Sequence, residues 1–243
     1  MKIIRNPGDE WRSGEILDAF AAHGTVRVYD HGKGALLIER LTPGTPLTSV
    51  LDTCNDEEAT RILADVIARM SPRAPPDAVP GVQQWGRAFD RYRASGHIAV
   101  PTHLLLEAQR IYAELCASQV CPRLLHGDLH HSNVLFDRER GWLAIDPKGV
   151  VGELEYEVGA ALRNPYERPE LFTARRTIEQ RVECFARALN LNPARILAWG
   201  FAQAVLSAVW AVEDGVAVAP GHGWLVLARA IRPLLSDIRV SKR

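Results

Sequence analysis

The sequence predicts an α+β fold: a small β-rich N-terminal piece followed by a larger, mostly helical one. Strand-like apolar runs concentrate before residue 46, and helical periodicity dominates from there to the C-terminus. That periodicity breaks once, between residues 123 and 145, where short apolar pieces flank turn chemistry. The chain has 243 residues, 47% apolar and 24% charged, enough to bury a sizeable core and too apolar for disorder.

Taken in order, residues 2–4 read as the end of a β-strand. Residues 9–22 carry helical spacing at Trp11, Ile16, Leu17 and Phe20, with Gly24 as the predicted C-terminal cap. Residues 25–29 and 35–41 read as strands joined by the turn Asp30-His31-Gly32-Lys33-Gly34. Residues 42–46 (Thr-Pro-Gly-Thr-Pro) are turn chemistry. Asn55 and Glu58 form a capping box ahead of a helix over 57–70. A Pro-rich loop at 71–80 precedes helices at 83–93 and 101–117. The runs 134–136 and 142–145, separated by a turn-like charged stretch, predict a β-hairpin. Three or four helices follow, one opened by Pro193 and the last introduced by residues 221–224.

Composition excludes several function classes. Twenty-nine basic residues balance 29 acidic ones, so the basic excess of a nucleic-acid or membrane-surface binder is missing. Cys54, Cys116, Cys121 and Cys184 contain no C-x-x-C pair, which argues against a zinc site or disulfide framework. They read as reduced and mostly buried thiols of a cytoplasmic protein. The most apolar stretch, 198–212, falls short of the roughly twenty residues a bilayer crossing needs. It reads as a core helix, and the N-terminus lacks the apolar run of a signal peptide.

The chemistry concentrates in His126-Gly127-Asp128-Leu129-His130-His131-Ser132-Asn133 and in Asp146, thirteen residues further on. A carboxylate, a carboxamide five residues later and a second carboxylate after a strand are the set that phosphoryl transfer from ATP requires. The first carboxylate orients the acceptor hydroxyl and accepts its proton, while the other two groups hold Mg²⁺ against the phosphates. The spacing Asp-Leu-x-x-x-Asn is that of the protein-kinase catalytic loop. Two readings compete. His126, His130 and His131 with the two Asp could ligate the metal of a hydrolase, or the run could be a polar loop with satisfied side chains. The kinase reading alone gives Asn133 a task.

The run "LLHGDLHHSNVL…GWLAIDPKGVVGE…LRNP" resembles the aminoglycoside and hydroxyurea phosphotransferases, specifically their streptomycin 6-kinase branch. "GTVRVYDHGKGALLIERLTPGTPL" and "AWGFAQAVLSAVWAVEDG" are similar to the same branch, so the resemblance spans nearly the whole chain from Lys2. It implies a protein-kinase-like two-lobe fold with a partial N-lobe at residues 1–41 and a helical C-lobe at 42–243. The nucleotide would lie between them, and residues 41–46 would form the hinge. The family places two strands and a phosphate-covering loop before its Lys strand. This sequence begins at that Lys, so the resemblance implies either a start further upstream or a shortened relative whose Lys strand is left as an exposed edge.

Carried over by residue, the resemblance implies that Asp128 is the catalytic base and that Asn133 and Asp146 bind Mg²⁺. Lys2 would face the α- and β-phosphates of ATP, with Glu10 as its ion-pair partner and Glu15 as second choice. Glu39 and Leu41 would offer backbone groups to adenine. His126 would orient the loop. His130 and His131 have two open roles, packing the loop or, for His131, lining the acceptor site. Glu153, Glu155, Glu213 and Asp214 are open between binding a cationic acceptor and forming acidic helix faces, and Glu157 reads as structural. Gly127 stands where protein kinases carry the Arg that pairs with a phosphorylated activation loop, so activity independent of regulatory phosphorylation is expected. The expected function is ATP-dependent phosphorylation of a small-molecule hydroxyl, first a streptomycin-type aminoglycoside, by a monomer or weak homodimer. Hydroxyurea or another small alcohol is the alternative acceptor, and a non-catalytic ligand-binding relative is the alternative to an enzyme.

Overall fold

The computed structural model describes residues 2–3, 9–32, 34–53, 55–70 and 74–240, with side chains over 11–32, 34–53, 55–70 and 74–235. Its N-terminal part holds β1 (Lys2–Ile3), a 3-10 turn at Asp9–Arg12, α1 (Ser13–Phe20), β2 (Val28–Gly32) and β3 (Ala35–Ile38). The three strands form an antiparallel sheet in the order β1-β3-β2. Gly34 turns the β2–β3 hairpin with φ +74°, a left-handed backbone that glycine adopts without strain. α1 buries Ile16, Leu17 and Phe20, the apolar face read from the spacing. It ends sooner than predicted, at Ala21 and Ala22, both left-handed. Gly24 serves a different need: a Cβ there would lie 2.9 Å from the Val66 carbonyl oxygen, and its own carbonyl accepts from Ala144 N–H at 2.9 Å.

The segment predicted as a turn and hinge contains an edge strand, β4 (Pro43–Pro46), paired antiparallel with β6. Its two prolines lack ladder donors and suit an edge. α2 (Thr48–Leu51) and α3 (Asp56–Arg69) follow. Asn55 Oδ1 accepts from Glu58 N–H at 3.0 Å, the expected cap, while the Glu58 carboxylate turns to Arg61. α4 (Val82–Ser95) and α5 (Thr102–Ala117) complete the first half of the helical body.

β5 (Arg123–Leu125) leads to the predicted hairpin, β6 (Val134–Asp137) and β7 (Gly141–Ala144), in the register Val134↔Ala144. β8 (Val150–Gly152), too short for periodicity to show, pairs with β5. Five helices follow, not three or four: α6 (Leu154–Leu162), the single turn α7 (Pro169–Phe172), α8 (Arg175–Leu189), α9 (Pro193–Glu213) and α10 (Gly223–Val240).

α9 forms the centre of the core. By length and composition it could cross a membrane, yet 78% of its most apolar window is buried within the fold, as in a core helix. Trp199 meets Tyr156 and Tyr112 edge-on, ring centroids 4.9 and 5.0 Å away, which fixes α9 against α5 and α6. A smaller cluster of Leu17, Val26, Leu36 and Leu143 joins α1 and the N-terminal sheet to β7. The cysteines depart from expectation. Cys116 and Cys184 are half-buried and Cys121 is exposed, while Cys54 lies outside the described residues.

Candidate active site

The catalytic-loop motif occupies the corner after β5. Gly127 makes the turn with φ +81°, and a Cβ there would stand 2.9 Å from Trp85 Cη2. The backbone N–H groups of His126 and Gly127 donate to the buried Glu157 carboxylate at 2.6 and 3.1 Å. The His126 carbonyl accepts from Lys148 and Gly149 N–H, both at 3.0 Å. Its ring donates from Nε2 to the Ile145 carbonyl at 2.8 Å, which makes Nδ1 the acceptor for Asp128 N–H at 3.3 Å. His126 therefore orients the loop, as expected, and burial holds its pKa down at about 4. With both nitrogens committed to the protein, it is not available as the metal ligand that the hydrolase reading made of it.

Asp128 projects from this corner into a cleft. Arg163 Nη2 and Lys148 Nζ each approach one of its carboxylate oxygens at 3.2 Å, and His130 Nε2 lies 3.9 Å away. Burial pushes the Asp128 carboxyl up, but Lys148, then Arg163 and the two neighbouring histidines, together hold it at about 2. Arg163 sits at the end of α6, where its second nitrogen donates to Gln203 Oε1 at 3.0 Å. Gln203 is fixed in turn by donating to the Tyr156 carbonyl at 2.7 Å.

Asn133 ends a 3-10 turn (His131–Asn133) just before β6. Its Nδ2 donates to the Asp128 carbonyl at 2.9 Å, which leaves Oδ1 as the atom able to face a cation. Its carbonyl accepts from Ile145 N–H at 2.9 Å, so the hairpin register sets Asp146 beside it. Asp146 has φ +57°, a left-handed backbone uncommon for a residue with a Cβ and frequent at functional sites. The described residues contain no group of three or more His, Cys, Asp or Glu placed to hold a metal. One carboxylate and one amide oxygen still fit Mg²⁺, which takes hard oxygen donors, keeps several waters and shares its shell with substrate phosphates.

The remaining predicted residues fall as follows. The side chains of Lys2 and Glu10 lie outside the described residues. Glu15 pairs with Arg12 at 2.8 Å on the surface. Glu39 is tied down by its side chain. Its carboxylate accepts from Arg27 N–H at 2.7 Å and pairs with Arg140, which also donates to the carbonyls of Ala22 and Thr25. Leu41 is half-buried against the small cluster beneath the N-terminal sheet. His131 is fully buried, both ring nitrogens without a hydrogen-bond partner, so it does not line the acceptor site. His130 lines the cleft instead.

Of the acidic candidates, Glu153 is buried and paired with Arg195 at 2.6 Å, and Glu213 is held by Arg91 at 2.9 Å. Asp214 lines the cleft with Trp210 and Trp224. The cleft has a volume of about 410 Å³, and an adjoining cavity of about 340 Å³ shares Lys148, Trp210 and Asp214 with it. Sequence reasoning missed Lys148 and Arg163 as partners of Asp128. The available signals were a cation two residues past Asp146 and the Arg of "LRNP".

The arrangement can orient a hydroxyl on Asp128 and seat a divalent cation between Asn133 and Asp146. Residues 1–215 match the family described as aminoglycoside/hydroxyurea antibiotic resistance kinase. A streptomycin 3''-kinase from Klebsiella pneumoniae is 37% identical over 224 residues, covering 88% of this chain and 80% of the relative. A streptomycin 6-kinase from Streptomyces griseus is 32% identical over 227 residues, covering 90% and 73%. In structure, the chain resembles a thermostable mutant of aminoglycoside phosphotransferase APH(4)-Ia solved with ADP and hygromycin B. The TM-score is 0.60 at 16% identity, covering 95% of this chain and 82% of the other, a likeness that shows the protein-kinase-like fold. The chain thus belongs to the aminoglycoside/hydroxyurea antibiotic resistance kinases, phosphotransferases that use ATP and take an alcohol group of a small molecule as acceptor.

Proposed function

We propose that this kinase transfers the γ-phosphoryl group of ATP to a hydroxyl of a streptomycin-type aminoglycoside, with Asp128 receiving the proton. The observation that carries this reading is that Asp128 shares its cleft with Asp214, Trp210 and Trp224. A carboxylate and aromatic faces are what a polyhydroxylated cation needs: charge pairing on one side and cation–π contact on the other. Asp214 caps the C-terminal end of the 21-residue helix α9, where the helix dipole adds to the negative potential. The two streptomycin kinases among the relatives support the same acceptor.

Asp128 at a pKa of about 2 is too weak a base to deprotonate a hydroxyl outright. In this reading it aligns the hydroxyl for in-line attack and takes the proton late, as a loose phosphoryl-transfer transition state allows. Arg163, pinned by Gln203, keeps the carboxylate in its productive rotamer. Asn133 Oδ1 and the Asp146 carboxylate would hold Mg²⁺, which when bound neutralises charge on the β- and γ-phosphates. Lys2 would meet the α- and β-phosphates, Glu10 would pair with it, and the backbones of Glu39 and Leu41 would meet adenine, with the nucleotide between residues 1–41 and 42–243.

The test is incubation with ATP, Mg²⁺ and either streptomycin or hydroxyurea, read by mass spectrometry. ATP-dependent phosphorylation of streptomycin is expected. Modification of hydroxyurea alone would replace the acceptor, and modification of neither would overturn the streptomycin reading.

A further inference from the structure

We propose that Lys148 is a catalytic residue whose ammonium bridges the Asp128 carboxylate and the transferring phosphoryl group. The inference rests on the reading of Asp128 as proton acceptor and goes beyond it. That reading brings two anions to one hydroxyl, the carboxylate on its proton and the phosphoryl group on its oxygen. Their repulsion opposes the reaction unless a cation stands between them.

Three groups near Asp128 could supply it. Arg163 is buried, with one nitrogen on Gln203 and another on Asp128, and is not free to follow a second anion. His130 lies 3.9 Å from the carboxylate, beyond hydrogen-bond reach, and burial lowers its pKa, which disfavours its charged form. Lys148 remains. Its Nζ stands 3.2 Å from Asp128 Oδ2, its side chain is 35% exposed, and it borders both the cleft and the adjoining cavity. Its backbone N–H is fixed to the His126 carbonyl at 3.0 Å, so its root is rigid while the four-carbon stem can turn. It also lies two residues past Asp146, the carboxylate proposed above to hold Mg²⁺.

The step balances without another reactant. The acceptor oxygen forms a bond to the γ-phosphorus, and the bond from that phosphorus to the β–γ bridging oxygen breaks, its electron pair leaving with ADP. The hydroxyl proton passes to Asp128 Oδ2. Lys148 keeps its protons and donates hydrogen bonds to the carboxylate and to an equatorial phosphoryl oxygen throughout.

The experiment measures binding of Mg-ADP with and without aluminium fluoride, a mimic of the flying phosphoryl group, by calorimetry on the full chain. Wild type is compared with Lys148→Met, which keeps the stem, and Lys148→Arg, which keeps the charge. Lys148→Met should bind Mg-ADP as wild type does, lose about a hundredfold in affinity for the aluminium fluoride complex, and lose kcat by a similar factor with KM little changed. Lys148→Arg should recover part of both. An equal gain from aluminium fluoride in Lys148→Met and wild type, or no gain in wild type, would overturn the proposal. The probe contains no aminoglycoside, so its result does not depend on streptomycin being the acceptor.

Discussion

Glu157 Oε2 accepts the backbone N–H of His126 at 2.6 Å, and through this bond the corner carrying Asp128 is fastened to α6. The same helix ends in Arg163, which grips the Asp128 carboxylate from the other side. Backbone and side chain of the catalytic loop are therefore held by one element. α6 itself is seated on α9 closely enough that a Cβ at Gly159 would stand 2.4 Å from Gln203. Phosphoryl transfer depends on positioning, and here the positioning is supplied by the core.

Replacing Asp128 should separate chemistry from nucleotide binding. Asp128→Asn keeps the size of the side chain and loses the anion that accepts the proton. The expected result is a fall in kcat of about a thousandfold with Mg-ATP affinity unchanged. Steady-state kinetics and calorimetry on the same preparation check it, and near-normal turnover would contradict the assignment.

Gly127 is required for its backbone. Alanine there would adopt φ +81° with its Cβ pressed against Trp85, costing about 2 kcal/mol and displacing the loop. Urea denaturation should register the loss, together with a lower kcat. Because glycine has no charge to answer a phosphorylated loop, phosphatase treatment of the wild type should leave its turnover unchanged.

Stability should fall on acidification. Burial holds His126 at about 4 and lowers His130 and His131 as well, so the folded chain resists protons that the unfolded chain binds below about 6.5. The stabilising contribution is complete above pH 6.5 and is lost as the pH drops towards 4, about 3 kcal/mol for His126 alone. Glu157 opposes this. Burial raises it to about 7 despite the backbone N–H donors, so its contribution is lost as the pH rises from about 4.5 to 7. The wild type and His126→Asn should therefore converge in stability between pH 6.5 and 4. Parallel urea-derived curves would contradict the burial of a neutral imidazole.

Glu153 should matter for stability and not for the acceptor. It is 1% exposed and accepts from Arg195 and Trp199, away from the cleft. Arg195→Met strands that carboxylate and should cost about 3 kcal/mol. The KM for streptomycin should stay as in wild type. A raised KM would return Glu153 to the binding site.

The nearness of Asp128, Asn133 and Asp146 was legible because it is local: one short loop and one hairpin link them, and spacing records that. Lys148 and Arg163 were not, because their task exists only once α6 has docked beside the loop. Periodicity found the long helices and the β6–β7 hairpin but missed β8, since three residues are too few to show alternation. It also read Pro43–Pro46 as turn chemistry, where pairing with β6 makes it an edge strand. The Glu39 carboxylate is the anion that Arg140 needs, a partnership across 101 positions that no local pattern reveals. The acidic residues divided by environment: Glu153 went into the core, Glu213 onto Arg91, and Asp214 into the cleft.

The central claim is that Asn133 and Asp146 complete a metal-dependent nucleotide site, and the most direct measurement is the thermal shift produced by Mg-ATP in wild type and in Asp146→Ala. At a hundred times the dissociation constant, ligand binding should stabilise wild type by about 2.7 kcal/mol, a rise of several degrees. The account predicts that this shift requires Mg²⁺ and disappears in Asp146→Ala. An equal shift in both proteins, or no shift in wild type, would contradict it.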